Sequence, residues 1–311
     1  TNDVLQMQGG QGQNSAVTDR QARLIANFSI HCVGEDEALI LVETSLKEIL
    51  LNHLESYHFR EEVEFTTITC RLLALQGPKS SLILEKIFEN QNLPDKPNDT
   101  TQLTLGKHPI NLIIKSLTGE EGQILCFPNE LEDELTQLIL KSDPPSIKVN
   151  EVAREVLRIE AGIPIYDTDM DKKNILPETG LEHTSVSYNK GCYIGQEVIA
   201  RIKTYGAPNF ALMGLTVEGV LTPPYNGTLK LGDKKIGTIK SSVRSVTLDK
   251  VITLAYLHKE HRSPDIEMEA TIDGKPFKVK TCLLPFYQAQ TRKDHSNKIL
   301  HQALQLYKEQ D

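Results

Sequence analysis

The hydrophobic pattern of this chain changes at Pro208, and the change limits the folds open to the last third of the sequence. Beyond it, Gly227, Gly232 and Gly237 separate short apolar runs. The runs are Thr228–Leu231, Lys235–Lys240, Val251–Leu257, Glu267–Ile272 and Pro276–Leu283. Short runs bounded by turn residues are typical of small β-barrels and sandwiches. We therefore assign 208–290 to a C-terminal β-barrel domain and 291–311, where 296–309 is amphipathic, to a helical tail.

Before Pro208, strand patterns alternate with helix patterns. Strands are predicted at Arg23–His31 and Ala38–Val42, followed by a helix from Ser45 to about Tyr57 with Thr44 as its N-cap. A further strand at Thr69–Leu75 precedes a helix at Lys79–Phe88, and the alternation returns between residues 110 and 140. This rhythm predicts an α+β domain of two subdomains over 1–207, with mixed rather than all-parallel sheets.

Composition excludes several classes of protein. The net charge of −8 over 311 residues argues against direct binding to nucleic acid, which needs a basic face. The five cysteines are widely spaced and form no CxxC pair, which favours neither zinc nor disulfides and fits a reducing compartment, the cytoplasm or an organelle matrix. No apolar run reaches the roughly 18 residues that span a bilayer. We expect no metal site and no membrane partner.

The motif KGCYIGQE, Lys190 to Glu197, places a single thiol between two glycines. Because apolar residues with helical spacing follow, Cys192 is expected at a loop-to-helix entry. Unpaired backbone N–H groups there, together with Lys190, would favour a reactive thiolate. A buried, inert cysteine is the alternative, and spacing alone does not decide between them.

Two further stretches contain candidate site residues. SLTGEEGQ, 116–123, holds Glu120 and Glu121 between two apolar strands, as either a solvated hairpin tip or a carboxylate that accepts two hydrogen bonds from an amino-heterocycle. REVLRIEAGIPIYD, 154–167, places Arg158 on a charged helical stripe, where a surface ion-pair ladder is the simpler interpretation. Tyr166 follows the end of that helix, where it could line a pocket.

Taken together, these stretches resemble a known family. KGCYIGQEVIARIKTYG resembles the signature of the YgfZ branch of the glycine-cleavage T-protein superfamily. TNDV with GQGQ, ALQGPK at 74–79, TGEEG at 118–122, LRIEAGIPIYD at 157–167 and the segment from GTIKSSVRS to LLPFY resemble superfamily landmarks in the same order. T-proteins carry an aspartate, their presumed base, where this chain has Asn27, and an amide cannot take a proton at neutral pH.

The resemblance implies an aminomethyltransferase-like folate-binding fold of three subdomains around a channel, with a C-terminal barrel and tetrahydrofolate or a one-carbon derivative as cofactor. Glu120 would meet the pterin edge, Tyr166 its ring, and Arg158 or Lys203 the anionic tail, with Asn27 and Lys190 also in the binding set. Cys192 would be the catalytic thiol.

The branch implies support of iron-sulfur enzymes through iron-sulfur proteins or carriers, with an indirect effect on tRNA modification. A folate-dependent aminomethyltransferase and a non-catalytic iron-sulfur scaffold are the alternatives, so whether the protein is an enzyme stays open. The family also has a segment before TNDV, so we expect part of the first subdomain to be missing.

Overall fold

A computed structural model describes residues 1–219 and 226–286. Two compact units are distinguished by their contacts. The N-terminal unit comprises Thr1–Lys148 and Leu181–Ala200, and the barrel unit comprises Val149–Gly180 and the described residues from Arg201 onward. The domain boundaries predicted at 207 and 290 stay predictions, and the helical tail at 291–311 lies outside the described residues.

The first sheet of the N-terminal unit contains three antiparallel strands in the order β1-β2-β3. Their bounds are Gly12–Thr18, Leu24–Cys32 and Ala38–Val42, and helix α1 follows at Lys47–Ser56. A 3-10 helix at Thr44–Leu46 precedes α1, so the predicted N-cap is wrong. The helix begins after Leu46, and no side chain bonds to its first turn.

The second sheet has four antiparallel strands in the order β4-β7-β6-β5. Its elements are β4 Arg71–Gln76, α2 Ser80–Ile87, β5 Thr100–Leu105, β6 His108–Ile114, β7 Gly122–Phe127 and α3 Glu132–Leu140. Alternate residues such as Leu125 and Phe127 form one core with Leu84 of α2 and Leu135 of α3. Because side chains alternate across a strand, Cys126 and Ile124 lie on the opposite face.

Three helices follow along the chain, α4 at Glu151–Glu160, α5 at Glu182–Ser185 and α6 at Gln196–Tyr205. Asn150 caps α4 by accepting the backbone N–H of Ala153. Within the barrel unit, Ile159 of α4 packs against Ile252 and Leu254. The apolar side of α4 therefore packs against apolar residues of the barrel.

A closed barrel of six strands forms the rest of the barrel unit, in the order β10-β11-β8-β13-β12-β9. The strands are β8 Phe210–Val217, β9 Thr228–Leu231, β10 Lys234–Ser245, β11 Lys250–His258, β12 Glu267–Ile272 and β13 Lys275–Cys282. Leu215, Leu229 and Ile236 are fully buried in its core. The predicted α+β class with a C-terminal β-barrel is confirmed.

Candidate functional site

One face of the first sheet is polar. The register pairs Gly12 with His31, Asn14 with Ser29, and Ala16 with Asn27, so these residues share a face. The amide oxygen of Asn27 is buried and has no hydrogen-bond partner among the described residues. Buried polar atoms are normally bonded, so this oxygen is available to a ligand.

His31 is fully buried on the same face. Its Nδ1 lies 2.9 Å from the Asn98 carbonyl oxygen, and its Nε2 lies 2.9 Å from Ser29 Oγ. Since a carbonyl oxygen only accepts, Nδ1 carries the proton and Nε2 accepts from the serine hydroxyl. Burial is the main reason that the pKa of His31 falls to about 4, so the ring is neutral near pH 7.

Lys115 reaches this polar face from the second sheet. Its Nζ donates to Asn14 Oδ1 at 2.9 Å, and no ion pair of Lys115 occurs among the described residues. Burial lowers the pKa of Lys115 to about 8. The site thus contains a cation for which the described residues provide no ion pair.

The turn that follows Lys115 contains Glu120 and Glu121. The carboxylate of Glu121 accepts hydrogen bonds from Ser81 and, at 3.4 Å, from Gln123 Nε2, so it has partners of its own. Glu120 is half-buried. Beside it, the Thr118 hydroxyl is buried without a hydrogen-bond partner in the described part of the chain. An unsatisfied hydroxyl next to a carboxylate suits a ligand that presents both donors and acceptors, such as a pterin edge.

The KGCYIGQE loop docks on the end of β1 within the N-terminal unit. Thr18 Oγ1 donates to the Ile194 carbonyl at 2.7 Å. Gly195 has φ +83°, and a Cβ there would lie 2.7 Å from both the Asp19 carbonyl oxygen and Thr18 Oγ1. Glycine is therefore required at this position for two reasons, the backbone angle and the close approach.

Cys192 is exposed, which agrees with the predicted accessible thiol. The predicted loop-to-helix entry is confirmed, since α6 begins at Gln196, but Cys192 lies four residues before that helix. The effect of a helix terminus falls off within one turn, so that part of the argument for a thiolate is lost. Lys190, which we also expected to act on the thiol, donates to the Asn2 carbonyl at 2.8 Å and lies 5.8 Å from the centre of the Tyr193 ring.

The remaining predicted residues lie elsewhere. Arg158 is buried in the barrel unit, where its guanidinium pairs with Asp169 at 2.6 Å and with Glu155 at 2.6 Å. The predicted ion pairs along α4 are therefore present, but at Arg158 they are buried rather than on the surface, and a folate tail would have to compete with them for Arg158. Tyr166 is buried in the same unit, and burial raises its pKa. Lys203 is exposed on α6. The structure thus places Asn27, Glu120, Lys190 and Cys192 in the N-terminal unit, and Arg158 and Tyr166 in the barrel unit.

Sequence reasoning missed three residues of the polar face, Asn14, His31 and Lys115. Lys115 ends the apolar run INLII, where a lysine is usually a solvated strand end. Only the pairing of the two strands and the contact between the two sheets bring these residues together. The one available signal was the position of Lys115 directly before the segment SLTGEEGQ.

Comparison with known proteins agrees with this architecture. Residues 1–190 match the GCVT N-terminal domain, and residues 211–288 match the glycine cleavage T-protein C-terminal barrel domain. The fold thus defines a class of protein in which an α+β region with a polar sheet face precedes a closed barrel. The chain belongs to the glycine-cleavage T-protein superfamily.

Relatives named aminomethyltransferase match most of the chain. The protein from Halothermothrix orenii is 28% identical over 290 residues, which are 92% of this chain and 80% of that protein. The one from Bacillus cytotoxicus is 26% identical over 301 residues, with coverage of 93% and 80%. The crystal structure of glycine cleavage system aminomethyltransferase T from Bartonella henselae superposes with a TM-score of 0.81 at 19% identity, covering 91% of this chain and 78% of that one. That likeness supports the fold.

These relatives correct the main functional prediction. They are named aminomethyltransferases, so the predicted role in iron-sulfur enzyme assembly or repair, with its effect on tRNA modification, is wrong. Iron-sulfur partners are likewise unsupported. The prediction gave two local departures, Asn27 and Cys192, more weight than similarity along the whole chain. Tetrahydrofolate is the one-carbon carrier of this family of aminomethyltransferases, and the cofactor prediction agrees with it. Among the described residues, no helix is both long and apolar enough to cross a membrane.

Proposed function

We propose that this protein is a tetrahydrofolate-dependent aminomethyltransferase of the glycine-cleavage T-protein type. The observation that carries the proposal is the pair of family matches, which cover both the N-terminal region and the barrel in the correct order. The names of the relatives, which match over nine-tenths of the chain, point to the same reaction.

The reaction sets the tasks of the site. The bond between the sulfur of a lipoyl carrier and its aminomethyl carbon breaks, the methylene group passes to tetrahydrofolate, and the nitrogen leaves as ammonia. Two hydrogens leave the folate nitrogens, one for the carrier's sulfur and one for the departing amine. When bound, tetrahydrofolate supplies the nitrogens that accept the methylene group. The protein must orient both partners, exclude water and move protons.

Three groups of the N-terminal unit suit the binding of a pterin. Glu120 offers a half-buried carboxylate, and Thr118 and Asn27 offer buried oxygens without partners among the described residues. Each would gain a hydrogen bond when a ligand with complementary donors and acceptors binds. Asn27 orients the ligand and takes no proton, because an amide is not a base near pH 7.

A reconstituted assay tests the activity. The purified protein is mixed with tetrahydrofolate and an aminomethylated lipoyl carrier protein, and methylenetetrahydrofolate and ammonia are measured together. Equal amounts of both products, formed faster than in the protein-free mixture, are expected. If folate binds but neither product exceeds the background, the protein is not an aminomethyltransferase.

The role of Glu120 is tested by binding alone. Glu120→Gln replaces an anionic acceptor with an amide and should weaken tetrahydrofolate by about 1.5 to 3 kcal/mol, roughly tenfold to a hundredfold in Kd. Glu121→Gln is the matched control, because it makes the same change at the neighbouring position, where the carboxylate accepts from Ser81. Calorimetry on both variants decides, and equal affinities for Glu120→Gln and the wild-type protein would remove Glu120 from the site.

The branch within the superfamily is a finer question. Assignment to the YgfZ branch rests on KGCYIGQE and Asn27, and it stays a prediction. The proposed activity does not depend on it, but a transferase with Asn27 needs another group to move protons.

A further inference from the structure

A half-buried lysine that the proposal above leaves without a role has its head on the polar face of the first sheet. Lys115 directly follows β6, and its Nζ crosses to β1 to donate a 2.9 Å hydrogen bond to Asn14 Oδ1. It has no ion pair among the described residues. An ammonium that is partly withdrawn from water without an ionic partner is costly. Such a group calls for a chemical reason.

Its neighbours place Lys115 beside the proposed folate groups. Asn14 and Ala16 share a face of β1, and Ala16 is opposite Asn27. Residues two apart on a strand are separated by roughly 7 Å, so the hydrogen bond to Asn14 holds the lysine head one same-face position away from the pair of Ala16 and Asn27. The next residues along the chain form the turn that carries Glu120. The head of Lys115 thus shares the polar face with Asn27, and Lys115 precedes Glu120 by five residues along the chain.

The charge of Lys115 is free to change near neutral pH. Burial lowers its pKa to about 8, which leaves roughly a tenth of the side chain as neutral amine at pH 7. The titratable groups on the surrounding strands and turns are His31, Asp99, Glu120 and Glu121. Of these, His31 is electrostatically coupled to Lys115, and it is uncharged above about pH 4. The titration of Lys115 is thus governed by burial.

We propose that Lys115 carries the proton that Asn27 cannot carry in the transfer reaction, an inference that rests on the proposed function. The neutral Nζ takes one proton from a folate nitrogen as that nitrogen bonds to the methylene carbon. The ammonium then gives this proton to the amine nitrogen, which leaves as ammonia, and Lys115 returns to its neutral form. The second folate hydrogen goes to the carrier's sulfur, which leaves as a thiol. No oxidant or further reactant is needed.

Substitution by arginine separates proton transfer from structure. Arginine keeps the positive charge and can donate to Asn14, but it does not give up a proton at working pH. Lys115→Arg should therefore bind tetrahydrofolate within about threefold of wild type, yet transfer the methylene group at least about a hundredfold more slowly. The rise of the wild-type rate with pH towards 8 should disappear. Lys115→Met, which keeps the side-chain length, should show the same loss of rate, and exposed Lys107→Met is the matched control. Wild-type rate and pH profile in Lys115→Arg would overturn the inference.

Chemical protection tests the position of Lys115 without measuring activity. Brief acetylation with an N-hydroxysuccinimide ester, followed by peptide mapping, should modify Lys115 less when tetrahydrofolate is bound, while modification of Lys107 stays constant. Equal modification of Lys115 with and without folate would show that it does not face the ligand. If the wild-type protein transfers nothing but Lys115 is protected, the proposed function fails and the placement of the lysine stands. If the wild-type protein is active and Lys115 is unprotected, the inference alone fails.

Discussion

Acidification should destabilise the N-terminal unit through His31. The ring is fully buried and neutral, with Nδ1–H bonded to the Asn98 carbonyl. Its pKa is about 4 in the folded protein, against 6.5 for an ordinary histidine. Between these values the unfolded chain binds a proton that the folded chain does not, so stability is complete above pH 6.5 and falls as the pH drops towards 4. At about 1.36 kcal/mol per pH unit, the loss amounts to about 3 kcal/mol.

The assay compares the wild-type protein with His31→Gln, whose amide can still donate to the Asn98 carbonyl. Hydrogen exchange of the β2 amides, followed between pH 4 and 7.5, reports the opening free energy of this sheet rather than that of the whole chain. The variant is expected to lose the extra pH dependence below 6.5. His108→Gln, at a half-buried histidine beside Glu130, controls for the loss of a histidine. Parallel pH profiles for the wild-type protein and His31→Gln would refute the reasoning.

Three further predictions follow from other parts of the chain. Arg158→Met should destabilise the barrel unit by about 3 to 5 kcal/mol in urea unfolding, because it leaves the Asp169 carboxylate buried without its cation. A variant as stable as the wild-type protein would contradict this. Gly195→Ala should lower the free energy of unfolding by about 1 to 3 kcal/mol, because of the positive φ and the close approach of β1. Gly191→Ala, with nothing within 4 Å of the added Cβ, should be neutral by the same measurement. Equal effects of the two substitutions would argue against the docking of the loop. Brief iodoacetamide treatment should label Cys192 first, because it is exposed. The other four cysteines are half-buried or buried: Cys32, Cys70, Cys126 and Cys282. Slower labelling of Cys192 than of these four would count against the accessibility of Cys192.

Local patterns sufficed for part of the fold. The runs Ala38–Val42, Thr228–Leu231 and Glu267–Ile272 have the bounds that the sequence indicated. Strand β1, in contrast, reads GQNSAVT, a mostly small and polar sequence with no clear alternation. Its place in the sheet comes from pairing with β2, and pairing partners cannot be read from propensity.

The candidate site, too, could be predicted only in part from the sequence. The TGEEG turn was visible because two glycines interrupt two apolar strands. Periodicity placed Arg158 on the charged stripe of α4, but it could not show that the chain turns back to bring Asp169 to its guanidinium. Lys115 and Asn14 are 101 residues apart, and only tertiary packing places one beside the other.

The alternation of the chain between its two units has a consequence for synthesis on the ribosome. The chain leaves the N-terminal unit at Lys148 and returns to it at Leu181. The last segment of this unit is therefore synthesised only after the first segment of the barrel unit. Thr18 and Ile194, which join β1 to the KGCYIGQE loop, are 176 residues apart. At about 5 to 20 residues per second, Thr18 waits roughly 10 to 35 s for its partner. During that time the end of β1 is uncovered, and the nascent chain depends on other contacts, or on a chaperone, to protect it.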